Sequence, residues 1–381
     1  MRILTKDQII HLHAQLINIS RLMSYYFFRL CAQYSLGLSQ PKNMKEENIH
    51  GKKAVLLALA VFVLLLCMSC SAPAQSGDNT EVTPSVPRSA LDILADIPGV
   101  LKAEQVRVTD YDDIDWSGFP EEVLESMHEM VDGIVDRTLS YSILYEVEGV
   151  RVQAFCSVPE DYLENPRPLI LFLRGGNGDY GAINQGSTAA ESYMSDCVVL
   201  STQYRETYPG NGKDEFGGAD LLDVLFWIER AKDLTFADTD RFYMIGESRG
   251  GMELCLALRE VPEGTITAAA SISGIYNLKQ TYLEREDMRS MLSNRVGGTP
   301  ETAPEAYESR SAVTFADRIN TPLLLVHSTG DTRVSYSQAQ IFSSVMKDAG
   351  KTCELWTRED DVHGITSPKE LAAIVEWLEN Q

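Results

Sequence analysis

From Pro168 to Asn380 the chain alternates between two kinds of segment, and that rhythm leaves few folds open to it. PLILFLRGG (168–176), CVVLSTQYR (197–205) and PLLLVHSTGD (322–331) are near-continuous apolar runs, as expected of strands buried on both faces of a sheet. ADLLDVLFWIERAK (219–232), RGGMELCLALREV (249–261), SYSQAQIFSSVMKDAG (335–350) and SPKELAAIVEWLEN (367–380) carry helical spacing. RFYMIGES (241–248), TITAAASISGI (265–275) and CELWTRED (353–360) read as further strands, with an irregular stretch before Pro322. Strands alternating with helices imply a mainly parallel sheet covered on both faces, with its chemistry at the carboxyl ends of the strands. Ahead of this, SYSILYEVEGVRVQAFCSVPE (140–160) is two alternating runs around Glu148-Gly149, a hairpin. Residues 140–381 are expected to form one α/β domain.

Residues 89–139 are mixed and acidic and read as a helical extension. Within them PEEVLESMHEMVDGIVDRTL (120–139) puts Val123, Met127, Met130, Ile134 and Val135 on one helix face. Residues 44–70 have the form of a secretory signal peptide. Lys52 and Lys53 precede the apolar run AVLLALAVFVLLLCM (54–68), and the small residues Ser69, Ser71 and Ala72 follow it. The run falls short of the about 20 residues of a membrane-spanning helix. Cys70 after Ser69 resembles the acylated cysteine of bacterial lipoproteins, although Cys67 stands where a leucine is usual. The expectation is a lipid anchor at Cys70 outside the cytoplasm, with ordinary signal cleavage and a secreted product as the alternative. Residues 71–88, SAPAQSGDNTEVTPSVPR, are a flexible tether in composition. Residues 1–43 are set aside as a leader or an over-extended start, because Met44 opens the basic segment that a signal peptide needs.

Beyond residue 70 the chain carries 25 basic and 52 acidic side chains, a formal charge of −27. That excess argues against nucleic acid as a partner and against a polybasic grip on anionic lipid. Cys156, Cys197, Cys255 and Cys353 each sit inside an apolar run without a CxxC pair, and read as buried free thiols. No metal or cofactor is called for.

GESRG (246–250) matches G-x-S-x-G, a sharp strand-to-helix turn that lifts a nucleophilic serine, here Ser248, above the sheet. FYMI runs into it and MELCLALREV runs out, the context that the α/β-hydrolase fold requires. That fold places an acid and then a histidine after the serine. Beyond Cys70 the histidines are His128, His327 and His363. His128 precedes the sheet, and His327 lies inside a strand before the candidate acid. His363, on the last loop, is the candidate base. Asp331, at the end of LLLVHSTG, can accept its Nδ1–H. Asp360 and Asp361 are too close to His363 in sequence for that role, and Glu247 is expected on the far side of the elbow. The oxyanion hole is assigned to the Arg249 N–H and to the loop Arg174, Gly175 and Gly176, whose glycines bring backbone donors close.

Taken together, residues from about 140 to 380 resemble the catalytic domain of the prolyl oligopeptidase family of serine peptidases. The resemblance rests on QYRETYPGNGKDEFGGADLLDVLFWI (203–228), GESRGG (246–251), LLLVHSTGDTRV (323–334) and DVHGI (361–365). It places the family's nucleophile on Ser248, its acid on Asp331 and its base on His363, and implies a small peptide or ester substrate. Three departures stand out. Residues 89–140 are far too few for the β-propeller that usually precedes the domain. Arg174 occupies the place of a tyrosine that helps the oxyanion hole in dipeptidyl members. IYNLKQTYL follows SISG (271–274) where an aromatic proline pocket belongs, with Tyr276 and Tyr282 as its possible members. An esterase acting on small or carbohydrate esters, and a non-catalytic tethered binding protein on the same fold, are the competing readings.

Overall fold

The computed structural model describes residues 87–108 and 130–381. The signal peptide, Cys70, His128 and nearly all of the tether lie outside the described residues. Among those described, no helix is long and apolar enough to cross a membrane.

Among the described residues, nine strands form one sheet in the order β1-β2-β3-β5-β4-β6-β7-β8-β9. The hairpin β2 (Thr138–Val147) and β3 (Val150–Pro159) turns at Glu148 and Gly149, both with positive φ, which matches the twist of the strands it joins. From β4 (Pro168–Leu173) onward neighbouring strands are parallel: β5 (Val198–Thr202), β6 (Asp238–Glu247), β7 (Ala268–Ile272), β8 (Leu323–Ser328) and β9 (Cys353–Arg358). Alternation within the apolar runs divides them between two cores. In β4, Leu169, Leu171 and Leu173 join the larger core, while Ile170 and Phe172 join the opposite one with Ile374 and Leu378. Both faces are covered, so both sets are apolar.

Helices α1 (Ala90–Asp96), α2 (Gln185–Ser195), α3 (Leu221–Arg230) and α4 (Arg249–Glu260) precede β7. The stretch expected to be irregular holds α5 (Leu278–Glu284), α6 (Arg289–Val296) and α7 (Pro304–Glu308). Helices α8 (Tyr336–Asp348) and α9 (Pro368–Glu379) flank β9.

The helical extension expected over 89–139 instead begins with α1 and then strand β1 (Val100–Val106), which pairs antiparallel with β2 at the sheet edge. Its burial repeats every third residue and its register shifts between Val100 and Lys102, so the two-residue period of a strand is missing from its sequence. Residues 130–137 are helical and bury Val131 and Ile134.

Candidate active site

Ser248 stands between the end of β6 and the first turn of α4 at φ 54 and ψ −118, a backbone region that a side chain tolerates only when its surroundings hold it there. Three hydrogen bonds do so: Ser248 N–H to Ile272 O (2.9 Å), Gly251 N–H to Ser248 O (3.0 Å) and Ile275 N–H to Ser248 O (3.2 Å). The glycines are needed for closeness. A Cβ on Gly250 would run into the Leu173 carbonyl, and one on Gly251 into Ser271. Strand and helix therefore meet at van der Waals distance, and the N-terminus of α4 opens beside the serine.

Asp331 follows β8 and is buried. One of its oxygens accepts the N–H groups of Arg333 (2.8 Å) and Val334 (3.0 Å); the other accepts His363 Nδ1–H at 2.8 Å. Burial alone would raise this carboxyl. Hydrogen bonds from His327 and His363 outweigh it and hold the acid below the usual carboxylate range. With Nδ1–H given to Asp331, His363 keeps Nε2 as its acceptor. His363 and Ser248 line the same cavity of about 830 Å³.

His327 is fully buried behind the acid, its Nε2–H donating to Val334 O (2.9 Å) and lying 3.4 Å from the same Asp331 oxygen. Its position inside β8 kept it from the base's place, yet it completes the acid's surroundings.

The loop after β4 passes directly over the serine: a Cβ on Gly175 would lie 3.1 Å from the Ser248 Cβ. Gly176 has φ +72, where a side chain is strained. Arg174, expected in the loop that lends backbone donors to this hole, turns its side chain away from it. Its guanidinium is 2% exposed and donates to the carbonyls of Gly175 (2.9 Å), Gly178 (2.7 Å) and Tyr180 (3.2 Å) and to Thr207 Oγ1 (2.8 Å). It braces the loop from below, and burial lowers it to about 10.

Arg249 likewise turns its side chain down while its N–H stays at the elbow. The guanidinium binds Asp214, Asp220 and Glu253 and stacks on Tyr204 and Phe216. Asp214 also accepts the Gly178 N–H (3.1 Å), linking the elbow to the loop above it. Asp214 and Asp220 lie in the motif 203–228, but nothing in their spacing announces a buried network.

Two more expectations are corrected. Glu247 is not on the far side of the elbow: it lines the cavity and accepts the Ile365 N–H at 2.9 Å. Tyr276 is fully buried, bonded to Ser271 Oγ and stacked on Phe342, and Tyr282 packs on Tyr307; neither lines the cavity. Ile275, Thr281, Arg285, Met288 and Val334 stand on that side instead.

The prolyl oligopeptidase family model matches residues 200–381. The uncharacterized peptidase YtmA of Bacillus subtilis is 29% identical over 245 residues, 63% of this chain and 93% of that protein. Dipeptidyl-peptidase 5 of Schizosaccharomyces pombe is 25% identical over 230 residues, 58% of this chain but only 34% of its own length. Among solved structures, the acylaminoacyl peptidase of Pyrococcus horikoshii superposes with a TM-score of 0.56 at 23% identity, covering 66% of this chain and 43% of that one. The chain thus spans nearly all of YtmA and well under half of the larger peptidases. Its sheet has the α/β-hydrolase fold, and residues 200–381 are what the chain shares with the prolyl oligopeptidase family of serine hydrolases.

Proposed function

We propose that the protein cleaves short peptides through an acyl-enzyme formed on Ser248. The observation that carries this reading is the 2.8 Å bond from His363 Nδ1 to Asp331 in a cavity that His363 shares with the strained Ser248. Asp331 fixes the tautomer. His363 Nε2 takes the Ser248 proton as Oγ attacks the carbonyl, then returns it to the departing amine. Water reverses the sequence and frees the acid product. The oxyanion is assigned to the Arg249 N–H and backbone donors of the Gly175–Gly176 loop, one such donor being worth roughly 100–1,000-fold in turnover. The names of the relatives support a peptide substrate; small esters would meet the same machinery.

A fluorophosphonate probe tests the nucleophile. Labelling of the wild type that vanishes in Ser248→Ala is expected, whereas equal labelling of both proteins would sink the proposal. Parallel assays of dipeptide amides and short-chain esters decide between peptidase and esterase.

We also propose an extracytoplasmic address with a lipid anchor at Cys70, on the strength of the apolar run and its flanks. Intact mass of the mature N-terminus checks it: a diacylglyceryl cysteine supports the anchor, and cleavage elsewhere without lipid refutes it.

A further inference from the structure

We infer that Glu247 is a positioning residue for the proposed base. Its carboxylate ties the His363 loop to the nucleophile elbow and sets a negative charge near the imidazolium that catalysis creates. The inference rests on the Ser248–His363 reading above.

Residues 361–366, which carry His363, have no regular secondary structure. Their backbone groups must therefore find partners elsewhere. Ser328 Oγ donates to Val362 O (2.7 Å). Arg358 donates to the carbonyls of Val362 (3.1 Å) and Gly364 (2.9 Å) and is itself held by Glu370. Gly364 N–H donates to Ser273 Oγ (3.2 Å), and Ile365 N–H to Glu247 Oε1 (2.9 Å). Only Glu247 belongs to the turn that carries Ser248, as the residue immediately before it. This bond fixes the base's loop relative to the nucleophile itself, while the others fix it to β7, β8 and β9. Gly364 takes φ +105, a backbone conformation in which any side chain is strained, so the loop's path past Glu247 is one that glycine permits.

The order of ionisation can be assigned as well. Burial pushes the Glu247 carboxyl up, opposed by the Ile365 N–H, by His363 and by Arg358, with Glu370 adding to the rise. Glu191 on α2 lines the same cavity and is displaced further, well above the carboxylate range. Burial is the first cause and the charge of Glu247 the second, with the Ser201 hydroxyl opposing them. Two coupled carboxyls in one buried site give up their protons in separate steps. Glu247 is the less raised of the two and gives up its proton first as the pH rises. A carboxylate there faces the imidazolium formed in catalysis without occupying the ring, since Nδ1 is already taken by Asp331.

The experiment uses the full chain with Glu247→Gln and Glu247→Ala. The pH dependence of fluorophosphonate labelling and of p-nitrophenyl acetate turnover are both measured. Glutamine keeps an acceptor for the Ile365 N–H and removes only the charge. It should lower kcat about tenfold with KM little changed, equivalent to one modest transition-state interaction lost. It should also move the acid limb of the labelling profile to lower pH, because losing a negative neighbour lowers an imidazole's pKa. Alanine loses the bond too and should fall at least about tenfold further. A Glu247→Gln acid limb that coincides with the wild type, or an alanine variant equal to the glutamine one, overturns the inference. Wild type that fails to label at Ser248 would instead overturn the hydrolase reading beneath it.

Discussion

Arg249 and Asp214 meet through two hydrogen bonds of 2.7 and 2.8 Å, both side chains closed to solvent beneath the nucleophile. Because Asp214 also receives the Gly178 N–H, one carboxylate joins the turn that presents Ser248 to the loop that crosses above it. The rigidity of the site thus depends on charges that no substrate touches.

Removing one partner of this pair should leave Arg249 undercompensated in a buried site. Asp214→Ala is expected to cost about 3–5 kcal/mol of stability, measured by urea denaturation, and to slow fluorophosphonate labelling by freeing the 175–181 loop. Unchanged stability would show that Asp220 and Glu253 suffice for Arg249.

Ser248 and His363 should behave as a unit. Ser248→Ala and His363→Ala are each expected to lower kcat by about 10⁴-fold or more, and the double variant should be scarcely worse than either single one. Multiplying losses in a steady-state assay would mean that the two side chains act separately.

The buried acid Glu191 should make stability depend on pH in a particular direction. Its carboxyl is raised in the fold, chiefly by burial. The folded state therefore binds the proton more tightly, and the stability this confers is full below the unfolded value of about 4.3 and is lost as pH rises through the folded value. Glu191→Gln has no such loss. Urea midpoints should differ least near pH 4, with the variant gaining on the wild type progressively at higher pH. Parallel curves would contradict the assignment of the proton.

Gly175 tests the crossing loop. Alanine there would press on the Ser248 side chain and is expected to reduce kcat roughly 100-fold, as for the loss of an oxyanion donor, with Tm within a few degrees of wild type. Wild-type turnover would place the loop's donors outside the reaction.

The parallel strands were legible because burial on both faces writes an uninterrupted apolar run, as in β4 and β8. The elbow was legible because glycines at Gly246 and Gly250 are demanded by a single tight crossing. Ser248, Asp331 and His363 follow a chain order that the fold imposes. By contrast, β1 is an edge strand whose burial repeats every three residues, so its sequence carries no alternating period. Glu247 departs from the expected placement because a side chain next to a residue with such a backbone does not follow the simple alternation of its strand. Tyr276 and Tyr282 lie away from the expected pocket because an aromatic residue after a strand serves a core as readily as a pocket. The Arg249 network is tertiary: its acids come from residues 214, 220 and 253, brought together only by folding.

The sheet order carries a practical consequence for anyone dissecting the molecule. β5 is inserted between β3 and β4, two strands that come before residue 200, where the family match begins. A fragment beginning there would start partway through β5 and lack both of its hydrogen-bonding neighbours, and β6 would lose β4 as well. The family-matched segment is therefore a sequence unit that cannot be excised as a folding unit. The smallest piece worth expressing has to reach back through the hairpin to β1.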